Sequence, residues 1–258
     1  MSQEVIWGRQ AVTEAMRAGR RRLRTLYIAR GIDERGIEEI LSMARDAGAE
    51  TSRVPRESMD RRAPDAVHQG VVGVFDAYPY VDVREILRRA AASHEDPLVV
   101  VAANIEDPHN LGSILRTADC AGAHGVILPR RRACGVTPAV VRVSSGASEH
   151  MAVARVTNLV RTVEELKEER LWIYGAEADG DSIYETDLAR GVALCFGAEG
   201  SGLPRLLRDR CDGLVSIPLR GRVHSLNVGV AAGIAIYEAI RQRRDASRCV
   251  KRPKNADG

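Results

Sequence analysis

The sequence predicts an α/β protein in two parts, with a mostly parallel sheet forming the larger, C-terminal part. Three observations carry this. Beyond Pro97, apolar strand-like runs alternate regularly with helical patterns, the signature of a parallel sheet covered on both faces. The length of 258 residues exceeds the roughly 100–200 residues of an ordinary domain. A composition of 45% hydrophobic and 28% charged residues supports a buried core and excludes disorder or fibrous structure for the chain as a whole.

Taken in order, residues 11–18 form an amphipathic helix closing at Gly19, and residues 23–29 a short strand. Residues 37–47 form a second helix ahead of Gly48, a residue suited to the left-handed position past a helix end, and residues 71–75 a strand. This reads as a small α/β domain over residues 1–75. Residues 76–96 carry Tyr78-Pro79-Tyr80, a short charged helix and Ser93-His94-Glu95-Asp96, and read as a linker.

The second domain, residues 97–245, opens on the continuous apolar strand 98–103, followed by a helix over 111–121 with Asn110 as N-cap and Gly122 as its end. Strands are expected at 125–128, 151–156, 171–176, 192–196 and 214–219, with a helix at 159–170. The last helix, 226–243, is apolar nearly all round and rich in small residues (Gly229, Ala231, Ala232, Gly233, Ala235), so burial on more than one side, a partner subunit included, is expected. Residues 246–258, with Arg248, Lys251, Arg252 and Lys254, read as a disordered tail.

The longest apolar run falls well short of the roughly 20 residues a membrane span needs, and no signal segment is recognisable, so a cytoplasmic protein without membrane contact is expected. Five cysteines without a C-x-x-C pair predict reduced, mostly buried thiols, and six histidines show no zinc spacing, so no metal is expected. The 38 basic residues barely outnumber the 35 acidic ones, but all except Lys167, Lys251 and Lys254 are arginines. Arg17, Arg20, Arg21, Arg22 and Arg24 cluster, as do Arg130, Arg131 and Arg132; bidentate phosphate recognition and a G+C-rich coding bias both account for this.

Ligands of open parallel sheets bind beyond the carboxyl ends of the strands, so three loops are candidates. The first, Asn104-Ile105-Glu106-Asp107-Pro108-His109-Asn110, leads into a helix carrying Arg116. Six residues set Asn110 and Arg116 on different faces of an ideal helix, but a capping residue escapes that constraint and both can reach one crevice. Alone, Asn110 reads as a cap and Arg116 as a solvated residue. The second loop, Gly197-Ala198-Glu199-Gly200-Ser201-Gly202-Leu203-Pro204, holds three glycines around one carboxylate, suited to close backbone approach by a ligand or to a flexible turn. The third, Arg220-Gly221-Arg222-Val223-His224-Ser225-Leu226-Asn227, offers Ser225 or Asn227 as helix caps and brings further polar groups to the same sheet edge. A dinucleotide enzyme, like an ordinary open-sheet methyltransferase, places its glycine loop after the first strand; here it comes late.

These three loops, with Asn104-Ile105, Pro108, Asn110, Gly112, Ile114 and Arg116-Thr117-Ala118 in the first, Gly197-Ala198-Glu199-Gly200, Gly202-Leu203 in the second, and Ile217-Pro218-Leu219, Gly221 and Ser225-Leu226-Asn227-Val228 in the third, resemble the motifs of the SpoU (TrmH) family of RNA ribose 2′-O-methyltransferases. Gly8-Arg9-Gln10-Ala11-Val12, Leu26-Tyr27-Ile28-Ala29 and His68-Gln69-Gly70-Val71-Val72 resemble that family's small ribosomal-protein-like RNA substrate-binding domain, and the branch carrying it includes 23S rRNA guanosine methyltransferases of the peptidyl-transferase region. The resemblance implies a SPOUT-type sheet with a deep trefoil knot and a homodimer with the site at the interface. It also implies S-adenosylmethionine held by Gly197, Glu199, Gly202, Ile217, Leu219, Ser225 and Leu226. Asn110, Arg116, Glu199, Ser225 and Asn227 match family positions for catalysis or substrate placement. Guanidinium is essentially never deprotonated in proteins, so Arg116 is expected to stabilise a developing alkoxide or clamp a phosphate.

RNA contact is expected at Arg17, Arg20, Arg21, Arg22, Arg24 and Arg30; aromatics are only 4%, which favours arginine–phosphate and shape contacts over stacking. One departure is that Gly229 stands where many members have a serine. A tRNA ribose methylase, an antibiotic-resistance rRNA methylase and a catalytically silent RNA-binding or ribosome-assembly protein remain as alternatives.

Overall fold

The structure is a computed structural model that describes residues 2–250 apart from residue 65, with the backbone alone at residue 34 and residues 247–250. Two sheets organise it. The first contains β1 (Gln3–Trp7), β2 (Leu23–Ala29), β3 (Glu50–Val54) and β4 (Val71–Asp76) in the order β1-β4-β2-β3. β4 pairs antiparallel with β1 and β2, whereas β2 and β3 run parallel. Helices α1 (Arg9–Ala18) and α2 (Glu38–Asp46) cover one face, where Leu26, Ile28, Val71 and Phe75 meet Val12, Ala15 and Ile40. The short α3 (Arg56–Asp60) closes the other over Val72 and Ala29 through Met59.

The second sheet is wholly parallel, in the order β10-β8-β9-β5-β6-β7. Its strands are β5 (Leu98–Ala102), β6 (Gly125–Pro129), β7 (Val153–Val156), β8 (Trp172–Ser182), β9 (Val192–Phe196) and β10 (Gly213–Ser216). Strand alternation divides the core between two faces. Leu98, Val100 and Ala102 pack with α5 (Pro108–Cys120), α6 (Pro138–Val143) and α9 (Val228–Val250), while Val99 and Val101 pack with α4 (Val83–Ser93), α7 (Leu159–Glu168) and α8 (Arg205–Arg208). The chain proceeds from β5 outward through β6 and β7, then returns on the other side, which makes the β5/β9 boundary a topological switch point.

Several expected boundaries move. Residues 81–93 of the expected linker pack into the second unit: Val81 bridges Ala154, and Ile86 of α4 is fully buried against the sheet. The strand expected at 214–219 ends at Ser216, leaving Ile217 to Leu219 in a loop. Part of the expected tail, residues 246–250, continues α9; residues 251–258 lie outside the described residues. Upstream, Gln242 donates to the Thr186 carbonyl at 2.9 Å, and Arg243 donates to the carbonyls of Asp96, Pro97 and Arg190. Among the described cysteines Cys195 alone is buried, short of the expectation; Cys120 is exposed and Cys134 and Cys211 are half-buried.

The two sheets share one continuous apolar cluster reaching from Ile6 through Tyr78 to Met151. At its edge two of the expected RNA-contacting arginines are consumed. Arg21 is buried and ion-paired with Glu149, itself buried, and with Glu4 at 2.6 Å. Arg20 donates to the carbonyls of Met151 at 2.5 Å and Pro79 at 3.0 Å. Removing this much charge from water demands partners, and the connecting segment at 147–151 supplies them.

Candidate active site

The loops following β5, β9 and β10 meet at the switch point. The first loop enters α5 through Asp107, whose side chain accepts from the His109 amide at 2.9 Å. Asn110 is therefore not the N-cap. Pro108 already supplies the fixed φ of a first helical residue and lacks an N–H, which sets the boundary three residues early. Asn110 falls in the first turn with its side-chain carbonyl free to face the other loops.

In the second loop Gly197 lies so close to the Gly202 backbone that any Cβ would collide with it. Gly202 has φ 64°, and a side chain there would also strike the Glu177 carboxylate. Glu177 accepts from the Leu203 amide at 2.6 Å and pins the loop from below. No sequence signal marked Glu177. Pairing of β8 with β10 jumps from Leu214 opposite Gly175 to Val215 opposite Asp181, so residues 176–180 leave the ladder and carry Glu177 into the site.

The third loop ends in Asn227, which caps α9: its Oδ1 accepts from the amides of Gly229 at 3.0 Å and Val230 at 3.3 Å. With the oxygen so committed, the amide nitrogen must point the other way, which fixes the side-chain orientation without ambiguity. That Nδ2 donates to Asn110 Oδ1 at 2.8 Å and to Glu199 Oε1 at 2.5 Å, and Glu199 also accepts from the Val228 amide at 3.3 Å. One residue from each loop thus joins a single network.

Beside the network lies a cavity of about 560 Å³, within the range of small-molecule sites. Gly197, Glu199, Gly202, Ile217, Leu219, Ser225 and Leu226 all line it, as do Phe196, Ala231 and Ala235. Arg116 does not. It is exposed two turns along α5 and donates to Ser145 Oγ at 3.1 Å, so the helical spacing places it on a different face after all.

α5 and α9 approach closely at Gly229. A Cβ on Gly229 would lie 2.8 Å from Ser113 Oγ, so the α5 hydroxyl occupies the space that the missing side chain would take. Below the glycine loop, a hydrogen bond with Cys211 and burial keep the Cys195 thiol well above the ordinary thiol range.

Among the other arginines expected to meet RNA, Arg17 pairs with Glu14 and Glu39, and Arg24 makes a two-point contact with Asp76 that holds the Asp76 carboxyl below its usual range. Arg22 and Arg30 are exposed. Among the described residues no cluster of three His, Cys, Asp or Glu side chains is arranged to hold a metal, and no helix is long and apolar enough to cross a membrane.

Comparison with known proteins gives the same architecture. Residues 97–237 match the SpoU rRNA methylase family, and residues 5–81 match the RNA 2′-O ribose methyltransferase substrate-binding domain. The chain is 40% identical over 246 residues to the TrmH family tRNA/rRNA methyltransferase YacO of Bacillus subtilis (strain 168), covering 94% of this chain and 98% of that protein. It is similar to the structure of the SpoU methyltransferase AviRb from Streptomyces viridochromogenes in complex with AdoMet, with TM-score 0.80, 30% identity and coverage of 94% and 91%. It is similar also to an AdoMet-bound rRNA methyltransferase from Sinorhizobium meliloti, with TM-score 0.74, 26% identity and coverage of 93% and 87%. The match extends over more than half the chain and includes the three loops that form the site: this protein belongs to the SpoU (TrmH) family of RNA ribose methyltransferases.

Proposed function

We propose that the protein methylates a ribose 2′-hydroxyl of 23S rRNA, at a guanosine of the peptidyl-transferase region, in the cytoplasm. The observation that carries the reading is the Asn110–Asn227–Glu199 network beside a glycine-cradled cavity. S-adenosylmethionine supplies an electrophilic methyl group on a sulfonium. The cavity fits it: Gly197 and Gly202 leave bare backbone where a side chain would intrude, and Phe196, Ile217, Leu219 and Leu226 give an apolar wall. Those residues and Ser225 hold the cofactor.

In-line transfer needs an aligned hydroxyl and a weakened hold on its proton. Asn110 orients the ribose, and Glu199, fixed by Asn227 and the Val228 amide, orients the nucleophile or the cofactor. Arg116 is presented outward by Ser145, which favours its completing the site of a second copy in a homodimer, where it stabilises the developing alkoxide or clamps the adjacent phosphate. Exposed Val230 and Tyr237 on α9 suit such an interface. We further propose that the segment from β10 through α9 forms the trefoil knot. Its support is that α9 begins after the edge strand β10 yet packs on α5 and β9 near the middle of the sheet. Residues 1–75 are the RNA-binding domain of this reading and residues 97–245 the methyltransferase domain.

The test is mass-spectrometric mapping of ribose methylation on 23S rRNA and total tRNA, with and without the protein in its host. Loss at one guanosine of the peptidyl-transferase region supports the reading. Loss confined to tRNA replaces the substrate, and loss nowhere leaves a silent RNA-binding protein.

A further inference from the structure

A second cavity, of about 450 Å³, opens on the first sheet, and among the described residues its lining is Arg9, Ala29, Arg30, Gly31, Ile32, Arg56, Gln69 and Gly70. Three of these are arginines and none of those described is acidic. This sets the cavity apart from the surface arginines that hold a carboxylate partner: Arg17, Arg24, Arg88, Arg161, Arg190, Arg208, Arg210 and Arg241 all sit within ion-pair distance of one. Arg9 is held in place by its Nε donating to the Gln69 carbonyl at 3.3 Å, while its backbone amide bonds Gln69 Oε1 at 3.2 Å. Gly31 and Gly70, both at φ 77°, shape the turns that bring Arg30 and Gln69 together. α1 begins at Arg9, so its positive N-terminal end lies at the cavity, with Gln69 Oε1 taking the first amide and Gly8 adding no side-chain cap. Guanidinium forks on a bare, positively polarised wall suit the tetrahedral anion of a phosphate.

The cavity also lies on a continuous seam leading toward the methyltransferase sheet. Gly8 and the Val67 carbonyl neighbour the Arg142 guanidinium, which bonds Val67. The Arg142 carbonyl accepts from the Ser145 amide at 2.9 Å, and Ser145 holds Arg116. A polymer with regularly spaced phosphates could contact both ends of this seam, whereas an isolated phosphate would occupy one.

We infer that Arg9, Arg30 and Arg56 form a phosphate-binding site for the backbone of the RNA substrate, replacing the cluster at Arg17 to Arg24 as the main RNA contact of the first domain. The inference rests on the RNA reading above and adds residues to it. These arginines act in binding and positioning, at a distance from the reacting atoms, and therefore set KM and salt dependence and leave kcat alone.

The experiment compares the full-length protein with Arg9→Gln/Arg30→Gln/Arg56→Gln, using fluorescence anisotropy on a labelled transcript of the peptidyl-transferase region of 23S rRNA from 50 to 200 mM salt. Each phosphate contact contributes close to one unit of log–log salt slope, so the triple variant's slope should be shallower by about two to three. KM should rise while kcat and S-adenosylmethionine affinity by calorimetry hold. Arg161→Gln/Arg205→Gln, on exposed arginines elsewhere, should leave the slope unchanged. Should the triple variant melt early, Arg30→Gln/Arg56→Gln, at two exposed positions, gives the same reading with a slope change of about two. An unchanged slope and KM overturns the inference, as does a triple variant that loses only inorganic phosphate binding. Binding decides this independently of turnover: a wild-type protein that transfers methyl to no RNA overturns the functional reading, while the slope still judges the site.

Discussion

Asn110 and Asn227, 117 positions apart, share a 2.8 Å hydrogen bond, and the same Asn227 nitrogen also reaches Glu199. The first, second and third loops are thus tied by a residue whose oxygen is already committed to the start of α9. Formation of the helix cap and assembly of the site are one event.

That double duty separates two substitutions. Asn227→Asp keeps an oxygen for the cap but sets a second carboxylate against Glu199, so methyl transfer should fall at least about 10-fold with the melting temperature nearly kept. Asn227→Ala should lose the cap as well, about 1 kcal/mol in a denaturant titration. Equal stability loss in both variants would contradict this division.

Gly197→Ala should abolish S-adenosylmethionine binding in calorimetry, since its Cβ has no space against Gly202. Gly200→Ala is the control. It has a positive φ of 83° but open space around it, so only a backbone penalty of about 1 kcal/mol is expected, with binding retained.

Gly229→Ser should destabilise this chain by about 1–3 kcal/mol through overpacking against Ser113. Ser113→Gly in the same chain should recover most of that loss, and thermal melts of the four-member cycle measure the coupling.

Arg21→Met leaves Glu149 charged and buried, so a loss of about 3–5 kcal/mol in urea unfolding is expected. Arg21→Met/Glu149→Leu should be considerably more stable than the single variant. Glu4, half-exposed, can turn to water and does not need replacement.

His124 gives a pH signature. Burial holds its pKa below the ordinary value, with Arg243 acting in the same direction and Glu95 against it; the neutral ring accepts from the Leu98 amide at 3.0 Å through Nδ1. The unfolded chain takes up a proton as pH falls through about 6.5 and the folded chain resists, so this contribution to stability is intact above about 6.5 and declines below it. The fall in melting temperature between pH 7.5 and 5.5 should be smaller in His124→Gln than in the wild type.

The parallel sheet was legible because its strands are buried on both faces and read as continuous apolar runs, as in Val192–Phe196. β1 and β3 escaped notice because each is an edge strand, and Glu50–Val54 carries almost no apolar pattern. The glycine loop and Asn227 were legible from local chemistry. The fate of Arg21 was not, since its partner Glu149 lies 128 residues away and nothing near Arg21 announces it. Glu177 is the same case: an out-of-register pairing between β8 and β10 brings it to the site. Arg116 is a different case, a residue close in sequence to Asn110 that helix geometry turns away from the Asn110 network within the same chain.

The Arg21–Glu149 pair also limits how freely the two halves can be recombined. A methyltransferase half excised at residue 97, or fused to a foreign RNA-binding module, inherits a carboxylate whose buried counter-charge, Arg21, was left behind. Shuffling experiments on this scaffold should therefore compare each new junction with and without Glu149→Leu.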